Sequence, residues 1–387
     1  MKFLRYCLVV GFTALILGEI LTRIFIPLDP YERSLDQSKD HPYIRTDWVP
    51  GFKKTYIVEG IGGQKGSMEL KINEFGFRSR SMQTAKKSAG TSRVFFLGGS
   101  TTEEIYLPEE KTFPFLVEKK LTDSLHLPME SINNGISGYL AADVLAVLVY
   151  KVMYYEPDAV VVMLGVNDLR YGVVPSYDPI HRPNYRKDLY SPDFKESPKE
   201  LISKLLKHSH FLTLIKWRLV NRIFPPDAEK FKSKLEEYDS WRKERRGNPF
   251  TDVAESKSLD DFIKYMKEII FIAQGHGLRL ILMTEPSIYQ ENLPKEIDEK
   301  LWMGWLGAAS SLKINLSPEF LFREMNRFND AVRTLSKDYN VELIDLEKEI
   351  PKTLDYFYDD VHFTPKGAQK VSEVVTSYWV SHPPRRA

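Results

Sequence analysis

Two unbroken apolar runs, residues 94–97 (Val-Phe-Phe-Leu) and 159–164, stand out from a chain whose other apolar residues mostly recur at helical spacing. A run without polar alternation suits a strand covered on both faces, as in a parallel sheet packed between helices. Residues 129–133, 278–283 and 341–346 complete a set of five such segments. Helical patterns lie between them, at 113–125, at 139–155, and from a cap at Ser258 to the glycines Gly275 and Gly277. Two more helices open at Ser317-Pro318 and Thr364-Pro365, each with Pro at the first helical position. Strands alternating with helices are the signature of right-handed βαβ units, so the pattern predicts an α/β fold with a central five-stranded parallel sheet.

Three stretches fall outside this alternation. Residues 27–92 carry scattered Pro, Gly and charge, with turns at Asp29-Pro30, Val49-Pro50-Gly51 and Gly60-Ile-Gly-Gly63. Within them, residues 68–72 alternate like an edge strand and lead into Asn73-Glu-Phe-Gly-Phe-Arg78. They read as a β-containing lead segment that ends in a polar linker, 79–92. The other two stretches are insertions at about 171–257 and 285–316. The first holds a capping box, Ser197-Pro198-Lys199-Glu200, opening a helix with Leu201, Leu205, Leu212 and Ile215 on it. The second holds Trp302 and Trp305, read as covered core. The resulting division is 1–26, 27–92 and 93–387.

The first 26 residues change the expected location. Lys2 and Arg5 precede the apolar run 7–18, and Glu19 interrupts it before Ile-Leu-Thr-Arg-Ile-Phe-Ile. Basic residues ahead of about a dozen apolar ones resemble a secretory signal, but no small-x-small cleavage site follows. An uncleaved signal anchor fits: a single-pass helix in the cytoplasmic membrane, with the bulk of the chain on the extracytoplasmic side. Net charge is +1, which gives no global attraction to nucleic acid, and Cys7, the single cysteine, excludes an internal disulfide. Residues 195–250 hold 14 basic against 8 acidic residues, read as a solvated face, with anionic lipid headgroups or an acidic glycan as the less favoured partner.

Candidate chemistry falls where this architecture places a site. In an open α/β sheet, ligands sit outside the carboxyl ends of the strands. Ser100 follows Leu97-Gly98-Gly99, the Asn134-Gly135 pair follows the second strand, and Asn167 follows the third. His362 lies in a turn before the last helix. A serine hydroxyl needs a base to take its proton, and an imidazole needs a partner on its other nitrogen. Asp359, three residues before His362, can turn back toward the ring; Asp360 is the less favoured alternative, expected to point away. The N–H groups of Ser100 and Gly135 and the Asn167 amide are candidate donors to an oxyanion. No His-Glu-x-x-His, P-loop or Gly-x-Gly-x-x-Gly occurs, so no metal or cofactor is expected.

These four blocks resemble those of the SGNH hydrolases, the GDSL-like lipase and esterase superfamily. The resemblance covers roughly residues 93–170 and 341–380, and more weakly 258–284. Leu97-Gly98-Gly99-Ser100 matches the nucleophile block, with Gly99 where the name-giving motif has Asp. Asn134-Gly135, Gly165-Val166-Asn167-Asp168 and Asp359-x-x-His362 match the remaining three. The resemblance implies a three-layer, flavodoxin-like fold with Ser100 as nucleophile, His362 as base and Asp359 as its orienting acid. It also implies an oxyanion hole from Ser100, Gly135 and Asn167. The lead segment resembles that of bacterial membrane-tethered relatives. The expected activity is an esterase acting through an acyl-serine, on a small acyl ester or an acylated cell-envelope glycan. An O-acyltransferase with the same triad is the alternative, and a non-catalytic envelope-binding module a more distant one. The α/β-hydrolase reading is weaker, because no Gly-x-Ser-x-Gly elbow surrounds Ser100.

Overall fold

The computed structural model describes residues 2–25, 43–44, 46–125, 128–175, 177–179, 211, 234–309 and 313–383. The capping box at 197–200 and the leucines after it lie outside the described residues. The chain divides into two compact units, Met1–Asp36 with Asp193–Lys232, and Gln37–Pro192 with Ser233–Ala387. Residues 37–92 of the lead segment fall in the same unit as the sheet.

In the first unit, helix α1 (Lys2–Phe25) exposes Phe12, Leu15, Leu17, Ile20 and Leu21. The Thr22 hydroxyl donates to the Gly18 carbonyl, and a Glu19 carboxylate oxygen accepts the Phe211 N–H at 3.0 Å. Among the described residues, no helix is long and apolar enough to cross a membrane.

The second unit is built on strands β3 (Ser92–Gly98), β4 (Met129–Gly135), β5 (Ala159–Met163), β6 (Arg279–Met283) and β7 (Glu342–Ile344), all parallel, in the order β4-β3-β5-β6-β7. An antiparallel hairpin, β1 (Lys53–Ile57) with β2 (Ser67–Lys71), precedes them. The helices that matter are α2 (Ser100–Glu103), α3 (Phe113–Leu125), α4 (Ala141–Tyr150), α5 (Val166–Gly172), α6 (Lys234–Gly247), α7 (Leu259–Gly275), α8 (Pro318–Tyr339) and α9 (Pro365–Ser381). Helices α3 and α9 pack on one another over one face of the sheet, and α4, α7 and α8 over the other. Strand β3 shows why its run is unbroken. Phe96 meets Phe113 of α3, the next residue back, Phe95, meets Phe77, and both rings are fully buried.

Three element ends differ from expectation. Strand β4 runs on through Asn134 and Gly135, because both pair with the end of β3. The helix expected over 139–155 stops at Tyr150, and a separate 3-10 turn, Val152–Tyr155, follows. Ser258 precedes α7 but does not cap it; its hydroxyl donates instead to the Asp168 carbonyl at 2.6 Å.

The register aligns the strand ends. Gly98 lies opposite Gly135 on one side and Met163 on the other, and Met163 lies opposite Met283. The chain therefore leaves β3, β4, β5 and β6 along one edge, delivering Ser100, residues 136–138, Asn167 and Glu285 to the same place. The lead segment braces this edge. The Arg78 guanidinium donates to the carbonyls of Glu103, Glu104 and Leu107, satisfying the C-terminal end of the short helix that begins at Ser100.

Candidate active site

Gly98 and Gly99 admit close neighbours. A Cβ at Gly98 would lie 2.2 Å from the Thr102 hydroxyl and 2.5 Å from the Met163 carbonyl oxygen, and one at Gly99 would lie 2.7 Å from Asn167 Nδ2. Neither residue has a positive φ, so it is space rather than a left-handed turn that requires glycine here. Ser100 then starts α2, and among the described residues its N–H has no acceptor.

The structure brings Ser100, His362 and Asp359 together. His362 Nε2 lies 2.8 Å from Ser100 Oγ, and its Nδ1 lies 2.9 and 2.8 Å from the two Asp359 oxygens. Asp359 is wholly buried and also accepts the N–H groups of Val361 and His362, which close the loop into a fixed turn. Burial disfavours its charge, yet the imidazole beside it and these donors hold its carboxyl below the usual range. Burial likewise opposes a charged His362, but Asp359 outweighs it and lifts the imidazole above its ordinary value, with Asp360 and Glu285 adding to the effect. Asp360 points away from the ring. Its carboxylate accepts Tyr289 OH at 2.8 Å and the N–H groups of Trp302 and Met303.

The candidate oxyanion donors separate. Asn167 Nδ2 spends one N–H on the Tyr139 carbonyl at 3.1 Å and keeps a second. Gly135 does not fit the part expected of it. Its N–H donates to Asn133 Oδ1 at 2.9 Å, and the residue is buried. Glycine is needed at 135 because a Cβ there would lie 2.3 Å from the Glu103 nitrogen, against α2 rather than against substrate. Three residues on, Gly138 is half-buried with φ +83°, and among the described residues its N–H has no acceptor. Its neighbour Ser137 is held by Glu103, whose carboxylate accepts both the Ser137 N–H and hydroxyl.

Two further residues escaped the sequence reading. Trp302, in the second insertion, donates its indole N–H to Asp359 Oδ2 at 2.9 Å. Trp305 is buried core, as expected. Glu285 is buried at the end of β6 and accepts Thr101 Oγ1 at 2.8 Å and Val166 N–H at 2.7 Å. It ties the turn carrying Ser100 to the turn carrying Asn167. Burial pushes its carboxyl up, with those two donors offsetting part of the shift.

A buried acid, an imidazole and a half-buried hydroxyl thus lie in one hydrogen-bonded line on the carboxyl edge of a doubly wound sheet, an arrangement in which the imidazole can take the serine proton. No protein-family model and no curated protein matches the chain. Among solved structures it is similar to the acetyl xylan esterase AlAXEase, at 18% identity and a TM-score of 0.40, covering 74% of this chain and 98% of that one. It is also similar to Axe2, an acetylxylan esterase from Geobacillus stearothermophilus, at 14% identity and a TM-score of 0.40, covering 74% and 93%. A GDSL-like lipase from Bacteroides thetaiotaomicron matches at 12% identity and a TM-score of 0.39, covering 78% and 94%.

Proposed function

We propose that the chain is a serine esterase that removes a small acyl group, acetyl first among them, from a cell-envelope glycan. The Ser100–His362–Asp359 line carries this reading. Ser100 Oγ attacks the ester carbonyl while His362 Nε2 takes its proton. The same proton then goes to the leaving sugar oxygen, giving an acyl-Ser100 ester. Water, deprotonated by His362, adds to that ester; the carboxylic acid leaves and Ser100 regains its proton. The oxyanion formed twice along this route takes hydrogen bonds from the Ser100 N–H, the free Asn167 N–H and the Gly138 N–H, which replaces that of Gly135.

Removing the Asn167 donor tests that part. Asn167→Ala is expected to lower kcat on the order of a hundredfold with little change in KM. A kcat equal to that of the parent takes Asn167 out of the site. The reaction itself is tested by acetate release from acetylated envelope glycan fragments, measured with the full-length protein. Transfer of the acetyl group to a sugar hydroxyl without free acetate would replace hydrolase by transferase.

The same reading attaches the protein to the cytoplasmic membrane through α1, with the triad on the extracytoplasmic side. The exposed apolar side chains of α1 support it, and the Glu19 and Thr22 contacts lower the cost of placing those polar groups among lipid tails. The full-length chain should stay with membranes through a high-salt wash. Release by salt alone would overturn the attachment.

A further inference from the structure

A second concavity adjoins the triad loop. It is a groove of about 460 Å³ between the Gly60–Gly63 turn of the lead segment, helix α6, Lys300 and the loop before α9. Its walls combine three aromatic rings, Tyr238, Phe357 and Tyr358, with three cations, Arg242, Lys300 and Lys366, against one acid, Asp355. The cations are not equivalent. Lys366 is paired with Asp355 at 2.6 Å. Arg242 is fixed by the Lys300 carbonyl at 3.0 Å and by the exposed Asp239, and lies over the Tyr238 ring. Lys300 is exposed, and among the described residues its ammonium has no ion pair.

The groove also touches the groups that orient the triad. Tyr358 stacks on the His362 imidazole, with centroids 5.6 Å apart and planes 13° apart. Tyr238 packs against Trp302, the donor to Asp359. Burial keeps both phenols protonated well beyond their ordinary range, and their hydroxyls engage one another and Tyr106. An occupant of the groove therefore lies one ring away from the catalytic base.

Resting on the esterase reading, we propose that this groove binds a carboxylate-bearing sugar of the acylated glycan, next to the residue whose ester meets Ser100. Aromatic rings suit the faces of sugar rings, and a fixed guanidinium together with an ammonium that has no ion pair among the described residues suits a carboxylate. The substrate class is then an acylated anionic polysaccharide rather than a neutral one.

Binding of oligogalacturonate to the full-length protein, followed by calorimetry, tests the groove without turnover. The parent protein should bind it, more weakly as salt rises, and Lys300→Glu should weaken binding at least about tenfold. Lys119→Glu, on α3 and outside the groove, should bind as the parent does. With acetylated substrates, Lys300→Glu should raise KM about tenfold more for acetylated oligogalacturonate than for acetylated xylo-oligosaccharide. An absence of binding by the parent, or equal binding by Lys300→Glu, overturns the proposal. Binding without turnover of any ester would leave the groove standing and sink the esterase reading instead.

Discussion

The Ser100→Ala protein is expected to turn over p-nitrophenyl acetate at least about 10⁴-fold more slowly than the parent, a loss of roughly 5 kcal/mol of transition-state stabilisation. The size follows from the site's division of labour. Without Oγ, no acyl-enzyme forms, and what survives is the catalysis that oxyanion donors and binding provide by themselves. The fold should tolerate the change, because Ser100 opens α2 through its backbone and, among the described residues, its hydroxyl meets only His362. A fluorophosphonate probe should label the parent at Ser100 and leave Ser100→Ala unlabelled. Equal hydrolysis by the two proteins, or labelling that persists at another residue, would remove Ser100 as the nucleophile.

The parts of this site that could be read from sequence are those set by local chain geometry. Residues 94–97 and 159–163 are apolar throughout because helices cover both faces of their strands, so the strand ends, and Ser100 and Asn167 just beyond them, could be located. Asp359 and His362 are three residues apart, within one turn, and the N–H groups of that turn close on the Asp359 carboxylate. Gly135 shows where such reading stops. Whether its N–H faces a substrate depends on the Asn133 side chain, which swings over to accept it. Trp302 and Glu285 were beyond reach for another reason. Each meets the site across a long span of chain, 57 residues from Trp302 to Asp359 and 184 from Thr101 to Glu285, and no spacing rule links them.

Those distant contacts also give the added segments a common purpose. The lead segment supplies Arg78 to the end of α2, and the second insertion supplies Trp302 to Asp359 and two backbone donors to Asp360. The two adjacent aspartates repel one another in a buried turn, and burial together with the Asp359 charge pushes Asp360 up. Tyr289, Trp302 and Met303 hold Asp360 on its own side, leaving Asp359 free to serve His362. The insertion thus fixes the turn that holds Asp359 and Asp360.

Asp359→Asn follows from that arrangement and should lower kcat by about 10⁴-fold, measured on p-nitrophenyl acetate. An amide cannot balance the imidazolium formed during attack, and its NH₂ can fix the ring in the wrong tautomer. The pH dependence gives an independent check. In the parent, His362 must be neutral to act as base, and its raised value places the acidic limb of kcat/KM above the ordinary imidazole value of about 6.5. Activity is therefore full on the alkaline side and falls as pH drops through that raised value. In Asp359→Asn the chief charge that lifts the imidazole is gone while its burial remains, so His362 should titrate lower than in the parent. Nuclear magnetic resonance of the His362 ring reads this shift even where turnover is too slow to follow. An unchanged titration would show that Asp359 is not what sets the charge of the base.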